Sequence, residues 1–465
     1  MPRNHRKGFL LTVLAGAVFS VQAAENEYNL LEVYKLAQKN DAQIAAARAD
    51  MQATQEGATQ SRAGLLPNLS LSAGTQRQDT TSDVKNGSDI KADGAVNSWG
   101  ARLTQPVFRM DRWYGYDQSK SISKQAESKF GYEQQNLILR VSEAYFNVLR
   151  AEDSLISAEA EEKAVKQQLD QARERYNVGL IAETDVLEAQ AAYDNARVAR
   201  ILGENQLSVS YEALRTITNE DIRNIGKLKK SMPLQQPAPA NSDEWVNKAI
   251  NNNLSLQAAR EGVVAAETSI KVNKSGHAPT VDAFASYDWN DNELNKALPQ
   301  ADGSYRTGKG SNTAFGLQFS MELFGGGATS SKVRQATYQF ESAQKKFDNE
   351  LRTTNSKTRN LFRTVNSDVE RVQARCQGII SSESALKATR SGYEVGTRNI
   401  TDVLDAQKVL FGSQRDYLNA RYDFIVNTLK LKQTSGILSP QDLGDLNQWI
   451  ISSEEMSIPE ECRAS

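Results

Sequence analysis

Histidine and cysteine are nearly absent from this 465-residue chain, which contains only His5, His277, Cys376 and Cys462. His277 alone follows the leader segment described below, so no His-based triad, His-rich metal site or HExxH helix can form. Two cysteines are too few for a disulfide-dense scaffold, and we expect no bridge between Cys376 and Cys462. Scattered Asp and Glu residues are typical of solvated helix faces. We therefore expect no enzyme activity, no metal site and no cofactor.

The chain also lacks an excess of charge of one sign. It has 55 Lys and Arg against 57 Asp and Glu, a net charge of -2. Because both signs alternate along helical stretches, they indicate solvated helix faces, and no basic surface for nucleic acid is expected.

Long apolar runs are missing beyond the N-terminus. The run from Phe9 to Phe19 follows Arg3, Arg6 and Lys7 and precedes the small-residue site Val21-Gln22-Ala23, which predicts a cleaved secretory signal at 1–23. No Cys lies near that site, so no lipid anchor is expected. No later window approaches 18 apolar residues, so we expect no transmembrane helix. If this exported chain enters a membrane, it must do so as strands closed into a barrel, which indicates an outer membrane.

The sequence repeats itself. Residues 40–67 align without a gap with residues 252–279, and nine of fifteen positions are identical between residues 176–190 and 393–407. Pro233, Pro237 and Pro239 lie between the halves and favour an extended linker. The predicted organisation is a first repeat at 24–218, a linker at 219–241, a second repeat at 242–435 and a C-terminal segment at 436–465.

Each repeat is predicted to contain a helix, two strands and two very long helices. Period-two alternation, as in Leu69, Leu71 and Ala73, predicts strands of about ten residues, long enough to cross an outer membrane when tilted. The polar segments 77–97 and 290–312 are predicted loops. A soluble sheet with one wet face fits the alternation equally well, and export favours the membrane interpretation.

The long helices are predicted from a proline-free heptad pattern. The stretch from Asp111 to Tyr176 would form a rod of about 100 Å. Gly179 and Gly396 are predicted to end helices, with Thr184 and Thr401 as N-caps of the return helices, so each repeat ends in a helical hairpin. Four strands per chain cannot close a transmembrane barrel, so an oligomer is required, and the count alone does not choose between two and three chains.

The segments Tyr393-Glu-Val-Gly-Thr-Arg-Asn-Ile-Thr-Asp-Val-Leu-Asp-Ala and Asn419-Ala-Arg-Tyr-Asp-Phe resemble the TolC family of outer-membrane channel-tunnels, and the resemblance covers nearly the whole mature chain. It implies a mainly helical homotrimer with a 12-stranded transmembrane β-barrel, a 12-helix α-barrel and an equatorial belt formed by the linker and the C-terminal segment. It also implies an exit duct for type I secretion or tripartite efflux. The implied partners are outer-membrane lipid, a periplasmic adaptor (membrane fusion) protein and an inner-membrane ABC, RND or MFS transporter.

The resemblance also assigns residues. Adaptor docking is expected at the hairpin tips, and a closed periplasmic end is expected to depend on Asp185, Tyr393, Arg398 and Arg421. Arg390 departs from the family pattern, which has an acidic residue there. Asp402 and Asp405 are expected to line the pore constriction, although acidic residues in a first helical turn can instead simply complement the helix dipole. The tip residues are Val178, Gly179, Leu180, Val395, Gly396 and Thr397.

Two other classes of protein fit the helical hairpins alone. A periplasmic coiled-coil adaptor would lack paired alternating strands. A structural surface protein or adhesin would not need duplicated hairpin tips.

Overall fold

The structure, a computed structural model, describes residues 27–82, 90–294, 298–299, 305–306, 308–451 and 462. The expected signal segment lies outside these residues. Nine α-helices occur in the described part, and none of them is both long and apolar enough to cross a membrane. In chain order, α1 to α9 span Leu30–Asn40, Ala42–Ala63, Met110–Asn177, Glu183–Thr218, Ser242–Asn252, Leu254–Lys274, Ala328–Glu394, Ile400–Thr434 and Pro440–Asn447.

Eight strands accompany the helices among the described residues. In chain order, β1 to β8 span Asn68–Ser82, Ile90–Phe108, Lys227–Leu228, Thr280–Leu294, Leu298–Pro299, Tyr305–Arg306, Gly308–Ser320 and Ile450–Ile451. β1, β2, β4 and β7 form one antiparallel sheet in the order β1-β2-β4-β7, so each half of the chain contributes one hairpin.

The four long strands exceed the predicted ten residues, and most of the predicted loops are strand. β1 continues to Ser82, which pairs with Ile90, and β4 continues past Asp291, which pairs with Lys309. Ladder hydrogen bonds join backbone groups and need no apolar side chain, so pairing persists where the alternation ends. The remaining loop residues, 83–89 and parts of 295–307, lie outside the described residues.

The single helix predicted at the start of each half is two helices. Asp41 breaks the first, and its side chain accepts a hydrogen bond from the Ile44 backbone N–H at 2.8 Å. Asn253 does the same with the Leu256 N–H at 2.8 Å. Residues 41 and 253 align in the sequence repeat, so both breaks come from a capping residue at the same position.

α3 and α7 extend through the whole helical part. The prediction of α3 from Asp111 to Tyr176 is confirmed within one residue at each end. In the half of the helical part nearer the sheet, the helices pack in the order α2-α3-α6-α7. In the half farther from the sheet, α4 packs on α3, and α8 packs on both α3 and α7. Apolar residues at the predicted seam are buried, including Val141, Val148, Leu169, Tyr417 and Phe424.

A belt surrounds the helices where α1, the linker and the C-terminal segment meet. β3 pairs with β8, and Tyr28 bridges to Ile225. The hydroxyl of Tyr145 on α3 donates to the Gly226 carbonyl at 2.6 Å. The belt therefore attaches to the middle of the helical layer.

Cys376 and Cys462 form a disulfide, contrary to our expectation. Their Cα atoms are 4.9 Å apart although 86 positions separate them in sequence. β8 pairs with β3 in the belt, and Cys462, further along the chain, lies against Cys376 of α7. The expectation was wrong because a cysteine count carries no information about this return of the chain.

Candidate functional site

The candidate site is the end of the molecule farthest from the sheet, where two helical hairpins lie side by side. Hairpin 1 consists of α3 and α4, and hairpin 2 consists of α7 and α8. Gly179 and Gly396 have φ angles of 77° and 79°, a left-handed conformation that glycine adopts without a Cβ penalty, and each ends a long helix as predicted. All six predicted tip residues are exposed.

The N-cap positions of the return helices lie two residues before the predicted ones. Asn399, not Thr401, caps α8: its side chain accepts from the Asp402 N–H at 2.7 Å, and the Asp402 carboxylate accepts from the Asn399 N–H at 3.3 Å. Ala182, not Thr184, precedes α4 and offers no side-chain acceptor. At α8 the prediction was wrong because Asn399 with Asp402 three positions later forms a capping box, which Thr401 cannot match. Only hairpin 2 has a capped return helix.

A small apolar core, here called the hairpin seat, joins the two hairpins. Residues of α3 and α4 pack against the start of α8, and Tyr393 packs against the edge of this cluster. Burial is nearly complete for Ile400, which is 1% exposed. The buried residues of the seat are Val165, Leu169, Ala172, Ala189, Ala196, Ile400 and Leu404.

Two polar contacts border the hairpin seat. The Thr401 hydroxyl on α8 donates a hydrogen bond to the Glu188 carboxylate on α4. The Arg175 guanidinium on α3 lies over the ring of Tyr393, 4.8 Å from its centroid, in a cation–π contact. Both contacts run from hairpin 1 to hairpin 2 within one chain.

Three of the four predicted gate residues lie at this end. Asp185 is half-buried at the start of α4, and Tyr393 lies under Arg175. Arg398, directly before the N-cap of α8, pairs with Asp402 in the first turn of that helix at 3.8 Å. Within the described residues of the single chain, no hydrogen bond joins Asp185 to Tyr393 or Arg398.

The structure does not bring Arg421 to this end. It lies 21 residues beyond Ile400 on α8, about 30 Å along the helix. Its buried guanidinium donates to the Lys229 carbonyl at 2.6 Å and the Lys230 carbonyl at 3.3 Å, which attaches the linker to α8.

The two predicted constriction residues differ in their surroundings. Asp402 is half-buried and participates in the capping box and the Arg398 pair. Asp405 is exposed one turn further along α8. The structure therefore gives Asp402 a local role in starting α8, whereas Asp405 has no such role within the described residues.

Sequence reasoning missed the residues of the hairpin seat at the start of α8 and the Thr401–Glu188 hydrogen bond. One signal was present in the repeat: Ile400 aligns with Glu183, so an apolar residue replaces a charged one at the first position of the second return helix.

A network of charges joins the helices near the belt. The Asp423 carboxylate on α8 accepts from Arg150 of α3 at 2.8 Å and from Arg371 of α7 at 3.2 Å. Arg371 also contacts Asp368 at 2.7 Å, and Asp368 accepts from the Asn427 amide at 2.8 Å.

A buried carboxyl lies beside this network. Asp153 of α3 accepts from the Tyr422 hydroxyl at 2.5 Å. Burial raises the pKa of Asp153 to about 6, and nearby Glu152 adds to the rise, while the Tyr422 hydrogen bond, Lys227 and Arg421 oppose it. Hairpin 2 is therefore attached to α3 at two levels, here and at the hairpin seat.

Comparison with known proteins identifies this arrangement. The outer membrane protein VceC from Vibrio cholerae has the same fold: the TM-score is 0.74 at 16% identity, over 88% of this chain and 96% of that chain. The sheet and the paired hairpins thus share the fold of that outer-membrane protein.

The model of the outer membrane efflux protein family matches residues 33–220 and 245–436, and the chain belongs to this family. It is 34% identical to the outer membrane protein TolC of Vibrio cholerae over 441 residues, 95% of this chain and 98% of that protein. It is 29% identical to the proteases secretion protein PrtF of Dickeya chrysanthemi over 462 residues, 96% of each chain. The chain is an outer-membrane exit duct.

Proposed function

We propose that three copies of this chain form one duct, with twelve strands closed into a barrel in the outer membrane and twelve helices below it. The observation that carries the proposal is the sheet register, which aligns apolar residues across all four strands on one exposed face. Along one such row, Leu71 pairs with Ala101, Ala101 with Tyr287, and Phe315 extends the same face from β7. Phe315 and Leu317 are strongly exposed in the single chain, and lipid would cover them.

The edges of the sheet support the closure. β1 pairs only with β2 and β7 only with β4 among the described residues, which leaves one free edge on each side. Joining β7 of one copy to β1 of the next satisfies both edges and generates a closed ring without a new type of contact. The helices would follow the same order, with α7 of one copy beside α2 of the next.

The helices set the reach of the duct. α3 contains 68 residues and is about 100 Å long, which suits a passage across the periplasm. The proposed units are a first repeat at 24–218, a belt linker at 219–241, a second repeat at 242–435 and a C-terminal belt segment at 436–465.

We further propose that the hairpin tips dock a periplasmic adaptor and that an inner-membrane ABC, RND or MFS transporter supplies the energy. The exposed Val178, Leu180 and Val395 give the tips an apolar surface for such a partner. The relative PrtF is named for protease secretion, which supports exported proteins as one cargo, and the family name supports efflux as another.

The hairpin end is proposed to be closed at rest. In the trimer, Asp185 of one copy would accept hydrogen bonds from Tyr393 and Arg398 of a neighbour, and Asp402 with Asp405 would form a ring of six carboxylates. Arg421 would contribute indirectly, by fixing α8 to the linker.

Single-channel recording in planar bilayers tests the proposal. The wild type should give a small conductance, and Tyr393→Phe with Arg398→Ser should raise it, because the phenylalanine ring preserves the Arg175 contact and only the polar links are lost. Cross-linking in native membranes should yield trimers. Monomers alone, or the absence of any conductance, would contradict the proposal.

A further inference from the structure

The bond between Cys376 and Cys462 is enclosed by the folded chain. Cys462 is 3% exposed and belongs to the main apolar core, and Cys376 of α7 is half-buried against that core. Val372 and Ile379 lie one turn to either side of Cys376 on α7, and each is 1% exposed in the same core. Thiol–disulfide exchange requires that an attacking sulfur reach the bond, so a partner protein cannot act on it once this part of the chain has folded.

Beyond α9, the C-terminal belt segment is attached to the linker by a short ladder. β3 and β8 pair through two residues each. The Lys229 backbone N–H donates to the Trp449 carbonyl at 2.8 Å, and the Lys229 ammonium donates to the Gln448 carbonyl at 3.0 Å. Two-stranded pairs of this length are marginal in water, whereas a disulfide across 86 positions is a strong constraint. The bond is therefore a main attachment of this segment to α7.

The two cysteines enter the periplasm at different times. The predicted N-terminal signal segment directs export from the N-terminus onward, so Cys376 arrives 86 positions ahead of Cys462. They are the only cysteines of the chain, so a single chain allows one pairing and needs no isomerisation. The periplasm is an oxidising compartment in which such bonds form. Oxidation must therefore act on the exported chain while both thiols are still accessible.

We propose that this chain is a substrate of a periplasmic dithiol–disulfide oxidant, which joins Cys376 to Cys462 on the single chain before the belt folds against α7. The oxidised chain is then the species from which three copies assemble, a step that rests on the proposed trimer. The number of ducts in the outer membrane thus depends on the oxidising capacity of the periplasm.

Two exchange steps make the bond. The Cys376 thiolate attacks one sulfur of the oxidant's disulfide, so that a mixed disulfide forms and the other oxidant sulfur leaves as a thiolate. The Cys462 thiolate then attacks Cys376 Sγ, the bond between the two Sγ atoms forms, and the second oxidant sulfur leaves. The two cysteines lose two electrons and two protons in total, and the oxidant gains both as a dithiol.

Reduction of the purified protein tests whether folding seals the bond. A thioredoxin-type dithiol protein should leave the bond of the native protein intact, because Cys462 is buried, and should reduce it after unfolding in guanidinium. Labelling with a maleimide that carries polyethylene glycol measures the free thiols as a shift in gel mobility. Reduction of the native protein as fast as of the unfolded chain would overturn the proposed order.

Cells with and without the periplasmic oxidant test the assembly step. Without it, the wild-type chain should have two labelled thiols and several-fold fewer trimers, and added cystine should restore both the bond and the trimers. The double variant Cys376→Ser with Cys462→Ser should give the same low trimer yield in both strains. Wild-type trimers at full yield with both thiols free would contradict the proposal.

The double variant also detects losses caused through other proteins. If its trimer yield falls as steeply as that of wild type when the oxidant is removed, the loss does not come from this bond and the assembly step is wrong. If wild-type chains carry the bond and are sealed against the dithiol protein but form no trimers in either strain, the proposed trimer is wrong and the oxidation step stands.

Discussion

Leu404 and Leu187 align in the sequence repeat, 217 positions apart, yet Leu404 is 7% exposed and Leu187 is 61% exposed. The second-half leucine packs into hairpin 1, whereas nothing within the described part of the single chain covers the first-half leucine. Val198, Leu202 and Val209 continue the exposed row along α4. Two related segments of the repeat therefore face different neighbours.

We expect the exposed α4 row to be covered by an adjacent copy of the chain. Val198→Asp with Leu202→Asp should lower the temperature at which the trimer dissociates, because charges would enter an apolar contact. The trimer band after heating in detergent measures this effect. Lys166→Asp, at an exposed position of α3, is the control, and equal dissociation temperatures for both variants would argue against a contact along α4.

Asp402 and Asp405 are expected to bind multivalent cations at the pore constriction. Two carboxylates about 6 Å apart repel by roughly 3 kcal/mol at an effective dielectric near 20, and a bound cation relieves this repulsion. Asp402→Asn with Asp405→Asn should abolish block of the single-channel current by trivalent cations added at the periplasmic side. Asparagine at 402 retains an acceptor for the Asn399 N–H, so the cap of α8 is preserved. Undiminished block would leave Asp402 with its capping role alone.

The buried carboxyl of Asp153 should make stability depend on pH. Burial raises its pKa from 3.8 to about 6, so the folded protein holds this proton more tightly than the unfolded chain. Stability from this group is therefore greatest in acid and falls as pH rises through about 6, by up to about 3 kcal/mol.

The variant Asp153→Asn keeps an acceptor for the Tyr422 hydroxyl and has no charge to lose. It should be more stable than wild type at pH 7.5, and the difference should shrink towards pH 5. Thermal unfolding followed by circular dichroism measures the trend. Asp170→Asn, at an exposed position of α3, should have the stability of wild type at every pH. If the stability of Asp153→Asn also follows that of wild type at every pH, the proposed pH effect of Asp153 is refuted.

The Cys376–Cys462 disulfide should stabilise the chain. A bridge across 86 positions removes entropy from the unfolded state and is worth about 4 kcal/mol. Cys376→Ser should unfold at lower guanidinium concentration than wild type, and reductant should bring the wild type to the same midpoint without affecting the variant. If wild type and variant have the same midpoint, with and without reductant, the β3–β8 pairing and the burial of Cys462 hold the C-terminal segment without help from the disulfide.

The sequence predicted the long helices well because a heptad pattern over more than sixty residues leaves few alternatives. It also located both helix-ending glycines, because the left-handed residue at a helix end is a local feature that favours glycine. Strand ends were missed because the ladder of β1 and β2 continues beyond the apolar alternation to Ser82.

Contacts between distant segments were beyond a pattern-based prediction. The Cys376–Cys462 bond and the Arg421 contact with the linker both depend on where the belt returns to the helices. Ile400 and Leu404 looked like ordinary positions of a helix start, and only packing against hairpin 1 distinguishes them. The proposed contacts of Asp185 with Tyr393 and Arg398 would depend on neighbouring copies.

α3 and α7 run unbroken past the belt, whereas each of their shorter partners lies on one side of it. α2 and α6 lie between the belt and the sheet, and α4 and α8 lie between the hairpin tips and the belt. The length of the helical part is thus set twice in each half, once by a continuous helix and once by the two shorter helices packed against it. A deletion of seven residues from one rod would shift every seam contact below it unless its partner lost seven as well. Such proteins can change their reach only in paired steps of whole heptads, made in both halves at once, so the distance between the two membranes constrains this sequence as firmly as any binding site.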